Sequence, residues 1–184
     1  DSLGPGDIDD YQHKATVWNG TVATSLGTLG GQRSSGAAIN DLGAVAGSSD
    51  TGDGQVHAML WDGTTLSDLG TLGGIYSAGF GINDAGQVVG ESWNVASVSR
   101  ATLWTGAGMV DLGMLLGDGR SSAHDINNAG LIVGSSEAYG ATLWRGAVPT
   151  DLNSFLDAAT VNAGWVLASA TAVNELGWVT GSTY

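Results

Sequence analysis

Three observations in the sequence predict an all-β fold built from propeller blades. Trp18, Trp61, Trp104 and Trp144 recur at steps of 43, 43 and 40 residues, and each ends a short strand-like run. The chain has 31 glycines and only 2 prolines, a composition typical of short strands joined by tight turns. No segment keeps a helical period, so no long helix is expected. A fixed period of this length, with several short strands in each unit, indicates a propeller or a solenoid.

The first complete unit shows the predicted order of strands. Residues 34–40 (SSGAAIN) form a first strand of small side chains, and the turn at 41–43 leads to a second strand at 44–48. After a polar loop, residues 57–61 (HAMLW) form the third strand and residues 65–70 form the fourth. Four antiparallel strands per unit is the plan of a propeller blade, and the small side chains place the first strand nearest the axis.

The count of strands predicts four blades in one ring, closed by a blade that the two chain ends share. The chain begins with a third and a fourth strand and ends with a first and a second, and joining these halves removes both free sheet edges. The predicted blades are 34–70, 77–113, 121–152, and 168–182 together with 14–27. Residues 1–12 are expected to form an acidic arm beside a single domain at 13–184. We expect a monomer; the alternative is a chain that pairs with a second copy into an eight-bladed ring.

Charge and hydropathy limit the classes of partner. The chain carries 18 acidic and 5 basic residues, a net charge of −13. A surface this acidic repels phosphate backbones, so nucleic acid is not an expected partner. No apolar run is long enough to cross a bilayer, so no membrane span is expected. The absence of cysteine excludes disulfides.

Residues 57–61 (HAMLW) and 62–92 (DGTTLSDLGTLGGIYSAGFGINDAGQVVGES) resemble the repeat of the bacterial extracellular HAF family. Units of that family read approximately HAFLW, DLGTLGG, a Ser/Ala run and AINDxGQVVG, and the resemblance covers nearly all of residues 14–182. It implies secretion or a place at the cell surface, and it implies no particular activity. The chain departs from the pattern at residues 151–165 and at the His slot, which holds Lys14, His57, Arg100 and Gly140.

Residues that break the repeat collect on one predicted face of the ring, where the loops after the second and fourth strands open. The candidate ligand-binding residues on this loop face are Arg33, Tyr76, Trp93, Arg120, Tyr139 and Trp165. Arg33 and Arg120 occupy one slot in the first and third blades, so a four-bladed ring would face them across its mouth with Tyr76 between. Guanidinium forks suit carboxylate or sulfate groups. The favoured alternative is that each arginine pairs with a nearby loop aspartate.

The candidate catalytic residues are His124, Asp125 and Glu91. Asp125 occupies an inner-strand slot that otherwise holds Ala or Gly, so its carboxylate needs partners. It is either a catalytic acid or, as we favour, a lock between blades. Asp50 and Asp53 lie in a DTGDG loop that offers oxygen ligands for Ca²⁺, although a solvated acidic loop is favoured and no cofactor is expected.

No strong catalytic motif occurs in the chain. The sequence therefore favours a secreted or surface-bound module that binds a glycan or another polar small ligand at the loop face, because aromatic platforms with polar neighbours suit sugar rings. One alternative is a hydrolase or lyase that acts on an anionic polysaccharide. The other is a structural repeat protein whose role is assembly.

Overall fold

The computed structural model describes residues 13–115, 119–137 and 140–184. It is 60% strand and 5% helix, which confirms the all-β fold class. The predicted arm at 1–12 lies outside the described residues. The strands form two half units and three whole units, each antiparallel and in chain order.

The half units lie at the two ends of the described chain. The N-terminal half unit pairs β1 (Ala15–Asn19) with β2 (Val22–Gly27). The C-terminal half unit pairs β15 (Leu167–Val173) with β16 (Val179–Thr183). It follows a 3-10 helix (Leu152–Phe155) and the five-residue helix α1 (Ala158–Asn162), which occupy the stretch where the sequence departs from its repeat.

Each whole unit has the four strands that the sequence predicts. Unit 1 contains β3 (Gly30–Ile39), β4 (Val45–Thr51), β5 (Val56–Trp61) and β6 (Leu66–Asp68). Unit 2 contains β7 (Gly73–Ile82), β8 (Val88–Asn94), β9 (Ser99–Thr105) and β10 (Gly108–Asp111). Unit 3 contains β11 (Ser121–Ile126), β12 (Leu131–Ser136), β13 (Gly140–Arg145) and β14 (Val148–Asp151).

Each second strand has a glycine at the position opposite a β-bulge in the first strand, and the bulge leaves no room for a side chain there. In unit 2 the register shifts between Gly79 and Gly81, and Gly90 lies opposite this bulge. A Cβ atom on Gly90 would overlap the carbonyl oxygen of Ala78, so no side chain fits there. The same overlap with a first-strand carbonyl oxygen occurs at Gly47, Gly134 and Gly181.

A buried serine in the first strand of each whole unit joins that unit to the preceding one. The Ser77 hydroxyl accepts a hydrogen bond from the Ala58 amide at 2.8 Å and donates to the Gly70 carbonyl at 2.7 Å. Ser34 and Ser121 make the same pair of bonds. The C-terminal half unit has Ala168 in this slot, and Asn153 instead bonds the amide and carbonyl of Leu167.

The turns between first and second strands form a ladder across the units. The Asn40 side-chain amide donates to the Asn83 carbonyl, Asn83 donates to Asn127, and Asn127 donates to Asn174. In the next position, the Asp41 amide donates to the Asp84 carboxylate at 3.0 Å. These side chains connect neighbouring turns, which explains the recurring Asn followed by a polar residue.

Hydrophobic cores lie between successive units rather than at one centre. Between units 1 and 2, Trp104 packs with Ile82 and Val88 against Ala46 and Ala58. Between units 2 and 3, Trp144 fills the equivalent place. Similar clusters join each half unit to its neighbour. The fold is therefore a row of repeats in which each unit packs on the next.

The two half units do not complete a shared blade within the chain. Among the described residues, β1 pairs with β2, and β15 with β16, in separate sheets. The predicted pairing of residues 178–182 with 14–18 is not formed, and a four-bladed ring is not confirmed. Both end faces of the row consequently remain exposed.

Candidate functional site

A cleft opens between units 2 and 3 on the loop face. It has a volume of about 540 Å³, and most of the residues that line it are polar in type. One wall comes from the second and third strands of unit 2, and the other from the first and second strands of unit 3. The lining side chains are Glu91, Trp93, Ser97, Ser99, Arg120, Ser121, Ser122, Ser135 and Glu137. The volume lies within the range of small-ligand sites, and hydroxyl, carboxylate and guanidinium groups converge on it.

An aromatic pair forms one edge of this cleft. The rings of Tyr76 and Trp93 lie 5.4 Å apart between centroids, tilted by 46°. This geometry is within the range of favourable aromatic contacts and fixes the orientation of the Trp93 ring. Burial, and secondarily the negative charge of Glu91, raises the pKa of the Tyr76 hydroxyl. Tyr76 therefore stays neutral, and a carboxylate lies close to the aromatic pair.

Hydrogen bonds hold the charged side chains of the two walls. The Ser99 hydroxyl donates to Glu91 Oε2 at 2.8 Å. On the opposite wall, the Arg120 amide donates to Glu137 Oε2 at 3.1 Å. Within the described chain, the only ion pairs are His57–Asp68 and Arg100–Asp111, so the Arg120 guanidinium is in neither. It stands exposed at the rim of the cleft and remains able to bind a ligand oxygen.

We call the packing contact between two successive units a joint. At the joint between units 1 and 2, the two strands that correspond to the walls of the cleft are bridged to each other. Val56 occupies the slot of Ser99, and it forms a parallel bridge with Tyr76. This bridge merges the strands of units 1 and 2 into one sheet, whereas unit 3 forms a sheet of its own. Of these two joints, the one between units 2 and 3 lacks such a bridge among the described residues and holds the cleft.

The structure brings together only part of the predicted ligand-binding set. Tyr76, Trp93 and Arg120 meet at the cleft together with Glu91, a predicted catalytic residue. Arg33 lies in unit 1, where its amide donates to Asp50 Oδ2 at 3.1 Å. The favoured alternative, a pairing of each arginine with a loop aspartate, is not formed as an ion pair among the described residues. The backbone amides of Arg33 and Arg120 instead donate to Asp50 and Glu137.

Two further predicted ligand-binding residues are not part of the described cleft. Trp165 follows α1, is exposed, and does not line the cleft. Tyr139 lies outside the described residues. The serines of the cleft are not among the predicted residues. Ser recurs in these strands because its hydroxyl hydrogen-bonds the neighbouring unit, so its presence does not indicate a binding site.

His124 and Asp125 lie at a different joint from the cleft. His124 Nδ1 donates to the Ala170 carbonyl at 2.7 Å. Asp125 accepts hydrogen bonds from the amides of Val173 at 2.8 Å and Ile126 at 2.9 Å. Both side chains thus connect unit 3 to the C-terminal half unit, which is the inter-unit lock that the sequence favoured for Asp125.

The two aspartates of the acidic loop of unit 1 already accept hydrogen bonds, Asp50 from the Arg33 amide of β3 and Asp53 from within the loop. Asp53 accepts hydrogen bonds from the Thr51 hydroxyl and the Gln55 side-chain amide. The bond from Thr51 is the main reason that the pKa of Asp53 lies below its ordinary value. In the part of the chain that the structure describes, no three His, Asp or Glu side chains group as metal ligands, so Asp50 and Asp53 lack further acidic partners for Ca²⁺.

No family model, curated protein or solved structure matches this chain. In the described ranges, no helix has the length and apolar character needed to cross a membrane. The case for function therefore depends on the chemistry of the cleft.

Proposed function

We propose that this protein is an extracellular binding module that holds a glycan in the cleft between units 2 and 3. The observation that carries the proposal is the Tyr76–Trp93 pair beside a cleft lined with hydroxyl and carboxylate groups. A sugar ring presents an apolar face to an aromatic ring and hydroxyl groups to polar side chains. The extracellular location is supported by the resemblance of the repeats to the HAF family.

The charges of the cleft favour neutral or amino sugars over anionic ones. Glu91 and Glu137 supply two carboxylates, whereas Arg120 supplies one guanidinium. The protein as a whole also carries a net charge of −13, which repels a polyanion. Carboxylates accept hydrogen bonds from sugar hydroxyl or ammonium groups, and Arg120 donates to ring or carbonyl oxygens.

The proposal includes the architecture that the repeats favour, a propeller in which units 1 to 3 are blades. In support, each unit has four antiparallel strands in chain order, and hydrogen bonds from Asn side chains join the turns of successive units. The half units would then be two parts of one further blade.

A glycoside hydrolase is the second candidate, because two carboxylates line one cleft. Glycosidases commonly use a pair of carboxyl groups on either side of the scissile bond. Glu91 and Glu137 lie on opposite walls and take the place of the predicted candidates His124 and Asp125. If Glu91→Gln keeps oligosaccharide binding while abolishing the release of reducing ends, the protein is an enzyme.

The proposed function is tested by calorimetric titration with partly deacetylated chitooligosaccharides, neutral cellooligosaccharides and oligogalacturonate. We expect binding of the first two classes, and a loss of at least about tenfold in Trp93→Ala and Arg120→Ala, equivalent to about 1.4 kcal/mol. Arg33→Ala is the matched control, since it occupies the repeat position of Arg120 away from the cleft. Absence of binding by every class, or equal losses in Arg33→Ala and Arg120→Ala, would contradict the proposal.

A further inference from the structure

One turn beside the cleft has a backbone conformation that residues with a side chain rarely adopt. Among the described residues, Ser97 is the one residue other than glycine with a positive φ, at 58°. In this left-handed region the Cβ atom comes close to the following carbonyl oxygen, which costs free energy that glycine avoids. At the other positive φ values of the described chain, all the residues are glycine. The chain thus keeps a strained residue at 97 where it elsewhere uses glycine.

The equivalent turn of unit 1 shows that the fold does not require a side chain at this position. In unit 1 the Gly54 amide donates to the Thr51 carbonyl at 3.1 Å, and in unit 2 the Ser97 amide donates to the Asn94 carbonyl at 2.9 Å. Gly54 has a φ of 84°, and a Cβ atom there would have no neighbour within 4 Å. Because glycine closes the same turn without this strain, the turn alone does not explain Ser97.

The two turns differ in what they face. Ser97 lines the cleft between units 2 and 3 together with Ser99, whereas Gly54 is not among the lining residues. Ser97 is exposed, and its hydroxyl forms a hydrogen bond with no described residue. The Ser99 hydroxyl, in contrast, already donates to Glu91 at 2.8 Å. The strained residue therefore presents a free hydroxyl group to the cleft.

We propose that Ser97 is a ligand-binding residue of the cleft and that its backbone strain is retained because the hydroxyl contacts the bound sugar. This inference rests on the proposed function of the cleft and adds to it a residue that determines specificity. A serine hydroxyl both donates and accepts hydrogen bonds, which suits the hydroxyl groups of a sugar. Backbone strain of this kind is concentrated at functional sites. Ser97 contacts the ligand from the wall of unit 2, and Arg120 contacts it from the wall of unit 3.

A residue that is kept for binding at a cost in stability should change the two properties in opposite directions. Ser97→Gly relieves the backbone strain and removes the hydroxyl, so the folded state becomes more stable while the ligand loses a hydrogen bond. Ser97→Ala retains a Cβ atom, and hence the strain, and removes only the hydroxyl. Gly54→Ser is the matched control, because it introduces the same strain into the equivalent turn of unit 1, away from the cleft.

The test measures the Tm of the three variants and their calorimetric affinity for partly deacetylated chitooligosaccharide and cellooligosaccharide. For Ser97→Gly we expect a Tm roughly 1–4 °C above that of the wild type and an association constant at least about fivefold lower. For Ser97→Ala we expect the same loss of affinity without the rise in Tm. For Gly54→Ser we expect a lower Tm and an unchanged affinity, since its turn does not line the cleft.

The outcomes separate this inference from the proposed function on which it rests. If the wild type binds an oligosaccharide and both Ser97 variants bind it equally well, the role of Ser97 is wrong and the proposed function stands. If the wild type binds no oligosaccharide class, both are wrong. A Tm that falls in Ser97→Gly would also overturn the inference, because the serine would then stabilise the turn rather than strain it.

Discussion

The joints between units 1 and 2 and between units 2 and 3 use the same repeat positions but end differently on the loop face. Both have a buried Trp, a buried Ser hydroxyl that bonds the preceding unit, and the Asn hydrogen bonds of the turn ladder. The first is then closed by the Val56–Tyr76 bridge, and the second opens into a cleft beside Ser99. The comparison shows that repeated residues build the joint and that a few unrepeated ones decide whether it becomes a site.

The largest expected effect concerns Gly90, whose strand contributes to both joints. Gly90→Ala places a methyl group against the Ala78 carbonyl and forces β7 and β8 apart. We expect a loss of more than about 3 kcal/mol in the free energy of unfolding, above the usual cost of overpacking. Gly106→Ala is the control, since no atom lies within 4 Å of a Cβ there. Chemical denaturation measures both, and equal losses would contradict the explanation.

The two joints should respond alike to removal of their core tryptophan. Trp104→Ala and Trp144→Ala each leave a large cavity, and we expect each to cost about 3–5 kcal/mol. Trp165→Ala, at an exposed position, should cost less than about 0.5 kcal/mol. Thermal or urea unfolding tests this. A much smaller loss at one joint would show that the cores are not equivalent.

Exchanging the residue that distinguishes the joints should affect binding. Ser99→Val removes the hydroxyl that holds Glu91 and introduces the side chain found at the closed joint. We expect oligosaccharide affinity to fall about tenfold, or about 1.4 kcal/mol. Val56→Ser, the reciprocal change at the closed joint, should leave the affinity at the open cleft unchanged. Titration calorimetry on both variants decides whether this slot controls the site.

Ionisation of Tyr76 reports on the charge beside the cleft. Burial and the Glu91 carboxylate raise the pKa of this hydroxyl above its ordinary value of 10.0. Removing the charge with Glu91→Gln should lower the pKa of Tyr76, but only partly, because burial is the larger cause. Ultraviolet titration of the phenol measures it. An unchanged pKa would place Glu91 farther from Tyr76 than the structure does.

The smallest expected effect is a difference in acid sensitivity between two equivalent loops. Hydrogen bonds, mainly from Thr51, lower the pKa of Asp53 below 3.8, so its contribution to loop stability is present above that pH. The contribution is lost as the pH falls through the lowered value. In unit 2, the Asn94 side chain holds the equivalent turn and does not titrate. Amide exchange should therefore rise in acid at 51–55 and not at 94–98.

The sequence was sufficient to predict the units because their determinants are local and repeated. The Trp spacing and the Asn turns each have a direct structural cause, in the buried Trp of the cores and in the turn ladder. The second-strand glycine, which the overlap at Gly90 requires, repeats in the same way but was not used in the prediction. The first strands begin earlier than predicted, at Gly30 and Gly73, because these residues pair with Thr51 and Asn94 across a bulge. A bulge changes register without changing the periodicity, so the pattern does not reveal it.

The site was predicted only in part, because it depends on which units are neighbours. Trp93 and Arg120 stand out as breaks in the repeat, and the structure brings both to one cleft. Arg33 breaks the repeat equally but lies in unit 1, away from the cleft, and the ring that would place it opposite Arg120 is not confirmed. His124 and Asp125 also break the repeat, and their hydrogen bonds to β15 connect unit 3 to the C-terminal half unit rather than to the cleft.

The most direct test of the central claim, that the cleft between units 2 and 3 is a glycan site, follows individual indole N–H signals by NMR. Partly deacetylated chitooligosaccharide is added to the ¹⁵N-labelled protein. The account predicts a saturable shift of the Trp93 indole signal, with no change at Trp165, which is exposed but lies away from the cleft. A shift at Trp165 or at the end-face Trp18 without one at Trp93, or no saturable shift with any oligosaccharide class, would contradict it.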